Sequence, residues 1–213
     1  MQRFYILRAE PWREDDWLLD IFTEQAGRMR VQLNRPSTPP DLFHCYCASW
    51  TQEELPSLKG WHLVRRDFLQ GKNLFCGFYL NELLVRLLPE QEAAPELFAR
   101  YQHTLAALTE DGLPDPWLRL FEWQLLQTLG YGFSWQLDAQ GQAIRAHKHY
   151  AFIPKQGFSE SALGFLGEDI LAFARGESAL PLWQMAKKIL RLALDDILQQ
   201  PLLSRELLQW RLP

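Results

Sequence analysis

Hydrophobic residues are spaced in two different ways along this 213-residue chain. Up to residue 75 they come in short runs or alternate with polar positions. Phe4–Leu7 is a continuous apolar run, and Trp17–Thr23 returns to a strand pattern. Arg28-Met29-Arg30-Val31-Gln32-Leu33 alternates strictly, and Phe43–Trp50 alternates again, which is the period of a half-buried strand. Residues 58–68 supply a last strand or two. Glu24-Gln25-Ala26-Gly27 reads as a hairpin turn, with Gly27 free to take positive φ, and Asn34–Pro40 as a proline-rich loop. Four or five short strands joined by tight turns predict a small barrel. An OB-fold is the commonest five-stranded form, and an SH3-like barrel fits the same pattern.

Beyond residue 75 the spacing becomes helical. Leu80, Leu83, Leu84, Leu87 and Leu88 recur at three- and four-residue intervals, which predicts a helix over 78–88. Asn81, Glu82 and Arg86 are expected on its polar side. Pro89 stops it, and a second helix restarts at Pro95 and continues to Leu108. Trp117–Leu129 reads as a third helix, with Leu118, Phe121, Leu125 and Leu129 on one face and Gly130 ending it. Residues 134–158 are polar and contain a strand-like Tyr150–Ile153, so a small β insertion is expected there. Helices are expected to resume at 161–165, 169–175 and 182–199, and Ser204 is placed to cap a last short one. The predicted class is α+β: an N-terminal five-stranded OB-fold barrel over 1–75, then a helical domain over 76–213 with a small β insertion.

Composition narrows the function. Hydrophobic content is 47% and charged content 23%, ordinary for a globular chain. No apolar run reaches the roughly 20 residues of a membrane span. The first fifteen residues carry no long apolar segment, so a cytoplasmic location is expected. Cys45, Cys47 and Cys76 form no CxxC, which argues against a disulfide framework or a zinc site. Net charge is −4, and residues 1–75 hold ten basic and ten acidic side chains. Any contact with nucleic acid must therefore come from a local patch.

Candidate chemistry is sparse. His147 and His149 share a strand face with Asp138 nearby in sequence, but no cysteine or carboxylate stands at close ligand spacing, so no metal is expected. The acidic pairs and runs at 14–16, 53–54 and 195–196 read as solvated surface, because adjacent carboxylates point in different directions. No phosphate loop, GxSxG or Cys/His nucleophile pairing is present, so no enzyme and no cofactor is expected. Two cationic groups remain. Arg28 and Arg30 face one side of a strand, with Arg35 following, a short stripe suited to a phosphate backbone or to plain solvation. Lys187, Lys188 and Arg191 share one face of the late helix. Arg119, flanked by Trp117, Leu118 and Phe121, fits either a grip on a peptide carboxylate with two parallel bonds or a surface arginine that packs its stem on a neighbour.

Four blocks in register resemble the bacterial recombination mediator family RecO. They are Leu19-Asp20-Ile21-Phe22-Thr23 with Gly27-Arg28-Met29-Arg30; Gly77-Phe78-Tyr79-Leu80-Asn81-Glu82-Leu83-Leu84 with Pro95-Glu96-Leu97-Phe98; Leu118-Arg119-Leu120-Phe121-Glu122 with Leu129-Gly130-Tyr131-Gly132; and Pro201-Leu202-Leu203-Ser204-Arg205-Glu206-Leu207. The resemblance implies an OB-fold, a helical domain and a β insertion. It implies a non-enzymatic protein that binds single- and double-stranded DNA and anneals complementary strands. It also implies binding to the C-terminal tail of the single-strand-binding protein SSB and, with RecR, assistance to RecA loading in the RecF pathway. By motif, Arg28, Arg30 and Arg35, with Lys187, Lys188 and Arg191, are the DNA-binding candidates. Arg119, Leu118 and Phe121 are the candidates for the SSB tail. The chain is expected to be a monomer on its own. It departs from the family pattern in its 32–40 loop, which carries one cation, in Glu10, and in lacking the zinc cysteines. Two functions therefore stand side by side: a DNA-annealing mediator, and an adaptor that reaches DNA mainly through SSB.

Overall fold

The computed structural model describes residues 1–13, 15–34 and 40–209. Arg35, in the proline-rich loop, lies outside the described residues, as do residues 36–39. The chain divides into two compact units, residues 1–114 with 202–213, and residues 115–201.

The first unit is built on five antiparallel strands: β1 (Gln2–Trp12), β2 (Asp16–Thr23), β3 (Gly27–Leu33), β4 (Cys45–Trp50) and β5 (Leu58–Arg65). Their order in the sheet is β3-β2-β1-β4-β5. One parallel bridge from Gln32 to Ser57 brings the two ends of the sheet together at a point, so the arrangement is OB-like without being a closed barrel. The inward positions of the alternating strands fill its core: Phe4, Ile6, Leu19, Ile21, Met29, Val31, Tyr46 and Ala48. The continuous run Phe4–Leu7 has a different cause. Tyr5 and Phe22 point to the other face, where they meet Phe98 and Tyr101 at ring distances of 5.1–6.1 Å. A strand covered on both faces has no polar side to alternate with.

The covering layer is helical: α1 (Gly71–Leu87) and α2 (Pro95–Leu108). Gly77 lets α1 come close, since a Cβ there would lie 2.5 Å from Leu69 and 2.8 Å from Phe43. Gly27 takes φ +70°, and a Cβ on it would sit 1.8 Å from the carbonyl oxygen of Glu92. Only glycine lets the loop after α1 run beside β3.

Asn81 overturns its expected place on the polar side of α1: it is buried. The β1–β2 register shifts between Ile6 and Arg8, which leaves Leu7 without a ladder partner. The Asn81 amide donates to the Leu7 carbonyl at 2.9 Å and to that of Ile6 at 3.4 Å, and accepts from the Tyr101 hydroxyl at 2.5 Å. One side chain thus joins β1, α1 and α2.

The helix α6 (Leu203–Gln209) returns to this unit. Ser204 does not cap it as predicted. The Glu82 carboxylate takes that place, accepting from the Leu203 and Ser204 backbone N–H groups at 2.9 Å each and from the Ser204 hydroxyl. A carboxylate at a helix N-terminus also meets the positive end of the helix dipole. Burial pushes the Glu82 pKa up. The hydrogen bonds from Ser204 and Leu203, with Arg86 nearby, outweigh it and hold the carboxyl below its ordinary value.

The second unit holds α3 (Asp115–Thr128), a three-stranded sheet of β6 (His149–Ile153), β7 (Gly157–Ser161) and β8 (Phe165–Leu166) in the order β7-β6-β8, then α4 (Gly167–Ala174) and α5 (Leu180–Ile197). The helix expected at 161–165 is a turn and a short strand instead. β8 pairs with β6 at Leu166–His149 and Phe165–Tyr150, and this tertiary pairing overrides the local pattern. Trp135, Phe152 and Phe158 fill the insertion together with Phe133. Cys45, Cys47 and Cys76 are free thiols. Among the described residues no helix is long and apolar enough to cross a membrane.

Two outcomes are expected. Asn81→Leu leaves the Leu7 carbonyl and the Tyr101 hydroxyl without a partner and costs about 2–5 kcal/mol, measured by urea unfolding. For Glu82 the folded pKa lies below the unfolded one, near 4.3. Its contribution is whole above that pH and disappears as pH falls through the folded value. Glu82→Gln therefore unfolds more readily at neutral pH and has a shallower acid slope than wild type in denaturant titrations across pH 3–6.

Candidate nucleic-acid interface

A buried aspartate organises the cationic face of the sheet. Asp20 lies on β2 directly opposite Arg8 on β1 and Arg30 on β3. Arg28, one step along the same face, reaches it diagonally. Its carboxylate is 4% exposed and receives Arg8 at 2.7 Å, Arg28 at 3.0 Å and Arg30 at 3.4 Å. A carboxylate this deep is surrounded by several cations and their hydrogen bonds. Arg28 is the most enclosed of the three, at 12% exposure, and also donates to the Leu88 carbonyl. Arg8 and Arg30 are 41% and 48% exposed. Two outer acids complete the cluster: Glu10 pairs with Arg8 at 2.9 Å, and Glu90 with Arg28 at 3.1 Å.

Sequence reasoning singled out Arg28 and Arg30 on this face but not Arg8, which the structure places beside them. The signal that could have found it is the bulge, because an unbroken β1–β2 ladder would have set Leu7 opposite Asp20. Arg28 serves partly as internal support, so the stripe open to solvent is Arg8 and Arg30.

The other sequence candidates divide. On α5, Lys187, Lys188 and Arg191 are exposed on one face as the periodicity predicts. Lys187 donates to Asp115 at 3.2 Å, and Arg191 lies 3.7 Å from Asp195. These ordinary surface pairs offset two of the three charges on offer.

Arg119 is not on exposed apolar surface. It is buried with Leu118 and Phe121, and its guanidinium is held by Glu122 and lies 3.8 Å from Asp115. The reason is the hand of the helix. Positions 118, 119, 121, 122, 125 and 126 are all buried, so Arg119 lies on the inward face itself, in line with Leu126 and with Glu122, which receives its guanidinium. The accessible side of α3 carries Leu120, Trp123 and Gln127 instead. These line an open cavity of about 600 Å³ together with Phe133, Trp135, Phe173 and Trp183. The cavity is mostly apolar and of the size that takes a small ligand or an apolar side chain.

Comparison with known proteins agrees over nearly the whole chain. The family described as "Recombination protein O C terminal" matches residues 69–206. The DNA repair protein RecO of Stutzerimonas stutzeri (strain A1501) is 38% identical over 221 residues, covering 97% of this chain and 92% of that protein. RecO of Cellvibrio japonicus (strain Ueda107) is 38% identical over 228 residues, covering 97% and 95%. RecO of Pseudomonas aeruginosa (strain LESB58) is 36% identical over 224 residues, covering 97% and 93%.

Arg119 is expected to behave as an internal ion pair. Arg119→Ala, which takes the cation away from a buried carboxylate, lowers stability by about 3–5 kcal/mol in urea unfolding. Arg119→Glu costs more.

Proposed function

The chain belongs to the RecO family of DNA repair proteins, and on that footing we propose that it is a recombination mediator. In this reading it binds single- and double-stranded DNA and anneals complementary strands in the cytoplasm, without catalysis. With SSB and RecR it helps RecA to load in the RecF pathway. The observation that carries the reading is the Arg8–Arg28–Arg30 cluster on the OB-like sheet. Its buried counter-charge, Asp20, cannot leave, but Glu10 and Glu90 are exposed and can swing into water. Phosphates then take their places on Arg8 and Arg30, releasing counterions as they do so. Lys187, Lys188 and Arg191 offer a weaker second contact.

A second reading, the SSB adaptor, is favoured by one specific observation. The open cavity beside α3 is apolar and aromatic-walled, which suits the hydrophobic end of an acidic tail better than it suits DNA. In this reading the seat is on the Leu120 and Trp123 side of α3, not at Leu118, Arg119 and Phe121.

Annealing of complementary strands coated with SSB, followed across a salt series, tests the mediator. Annealing that weakens steeply with salt and disappears in the double variant R8E/R30E supports it. Unchanged annealing in that variant removes the stripe from the site. No annealing by wild type, beside intact binding of an SSB tail peptide, leaves the adaptor alone.

A further inference from the structure

The strand β5 is exposed almost from end to end. Leu58 is buried, whereas Lys59 to Val64 all face solvent. Trp61 is 39% exposed, and Phe68, in the turn that leads to α1, is 60% exposed. These two rings are joined by two buried ones. Trp61 meets Tyr46 at 5.7 Å, Tyr46 meets His44 at 6.4 Å, and His44 meets Phe68 at 5.1 Å. The result is a row of four rings, anchored in the middle and open at both ends.

Charge follows the same segment. Residues 58–72 contain Lys59, Arg65, Arg66 and Lys72 against one acid, Asp67. Asp67 is buried and receives Arg65 at 2.8 and 3.0 Å, so that pair cancels. Lys59, Arg66 and Lys72 remain exposed, a local excess of three positive charges in a chain whose net charge is −4. Arg66 and Phe68 border a hollow that Glu110 and Asp111 also line, and those acids limit the segment on that side.

An exposed ring is costly in water unless something stacks on it, and exposed cations beside it select an anion. Single-stranded nucleic acid has both partners in one chain, bases for the rings and phosphates for the cations. A duplex has only the second, because its bases are already stacked. We infer that β5 and the turn to α1 form a second track for single-stranded nucleic acid, with bases stacking on Trp61 and Phe68 and phosphates on Lys59 and Arg66. The inference rests on the DNA-binding reading and deepens it. Annealing requires two strands to be held at once. The arginine stripe uses β1–β3 and this track uses β4–β5, so one sheet offers both.

The test is fluorescence anisotropy of labelled oligo-dT and of a blunt duplex, at several salt concentrations, with thermal melting as the check on folding. The variant W61A/F68A is expected to bind oligo-dT about tenfold or more weakly, with duplex affinity within about twofold of wild type. The variant K59E/R66E, which leaves every packed ring in place, is expected to flatten the salt dependence for oligo-dT by about 1.4 logarithmic units. Wild-type affinity for oligo-dT in both variants, with R8E/R30E impaired, would falsify the track and leave the stripe standing. Equal loss of oligo-dT and duplex in W61A/F68A also overturns it. If wild-type protein binds neither probe at low salt, the mediator reading falls together with the track.

Discussion

The first unit depends on the amide of Asn81. A β-bulge in the first strand breaks the ladder at Leu7, and a broken ladder inside a packed sheet leaves a carbonyl with no water to turn to. Asn81 supplies the missing donor while its own oxygen takes the Tyr101 hydroxyl, so the bulge is satisfied from the helical layer. Burial drives the Tyr101 pKa well up, which keeps that hydroxyl protonated as a donor. The bulge in turn sets the register beyond it. Because Leu7 is skipped, Arg8 and not Leu7 stands opposite Asp20. A buried amide on a helix therefore decides which side chain faces the cationic site on the sheet.

Asp20 shows how a weakly charged chain can still present cations. Three guanidinium groups so close would repel one another on an open strand face. A buried carboxylate between them holds the geometry and leaves a local excess that the exposed glutamates offset in the free protein. In the proposed DNA-binding reading, Glu10 and Glu90 would compete with phosphates for Arg8 and Arg28, so a ligand that offers several phosphates at once would be favoured over an isolated anion.

Much of this was legible in the sequence, for physical reasons that differ from element to element. The strand and helix pattern was clear because burial on one face leaves a period, and Pro89, Pro95 and Gly130 mark boundaries through backbone chemistry that operates locally. Asn81 was misread, and the reach of Glu82 to the last helix was not seen, because polarity alone says nothing about partners. Both serve backbone groups 74 to 122 residues away in sequence. Ser204 was read as a cap because capping is a local rule, whereas the helix start is satisfied by a carboxylate from another helix. The segment 161–165 has too few residues for periodicity to decide, and the pairing with Tyr150 decided it. Arg119 was placed outside because a cation was taken to face solvent, whereas its position shares the buried side of α3 with Glu122 and Leu126, and the glutamate one turn on receives it.

The last of these cases bears on how motifs should be read. Leu-Arg-x-Phe-Glu looks like a recognition sequence because it joins a cation to apolar neighbours. In the folded chain the arginine and the glutamate of that motif pair with each other, and the leucine and phenylalanine are core. What the motif does is set the rotation of α3, and that rotation presents the intervening Leu120, with Trp123, to the open cavity. The Asn-Glu pair of α1 works in the same way. Its residues fix the bulge and the last helix. In both helices the polar residues of these blocks bind within the fold and hold its frame.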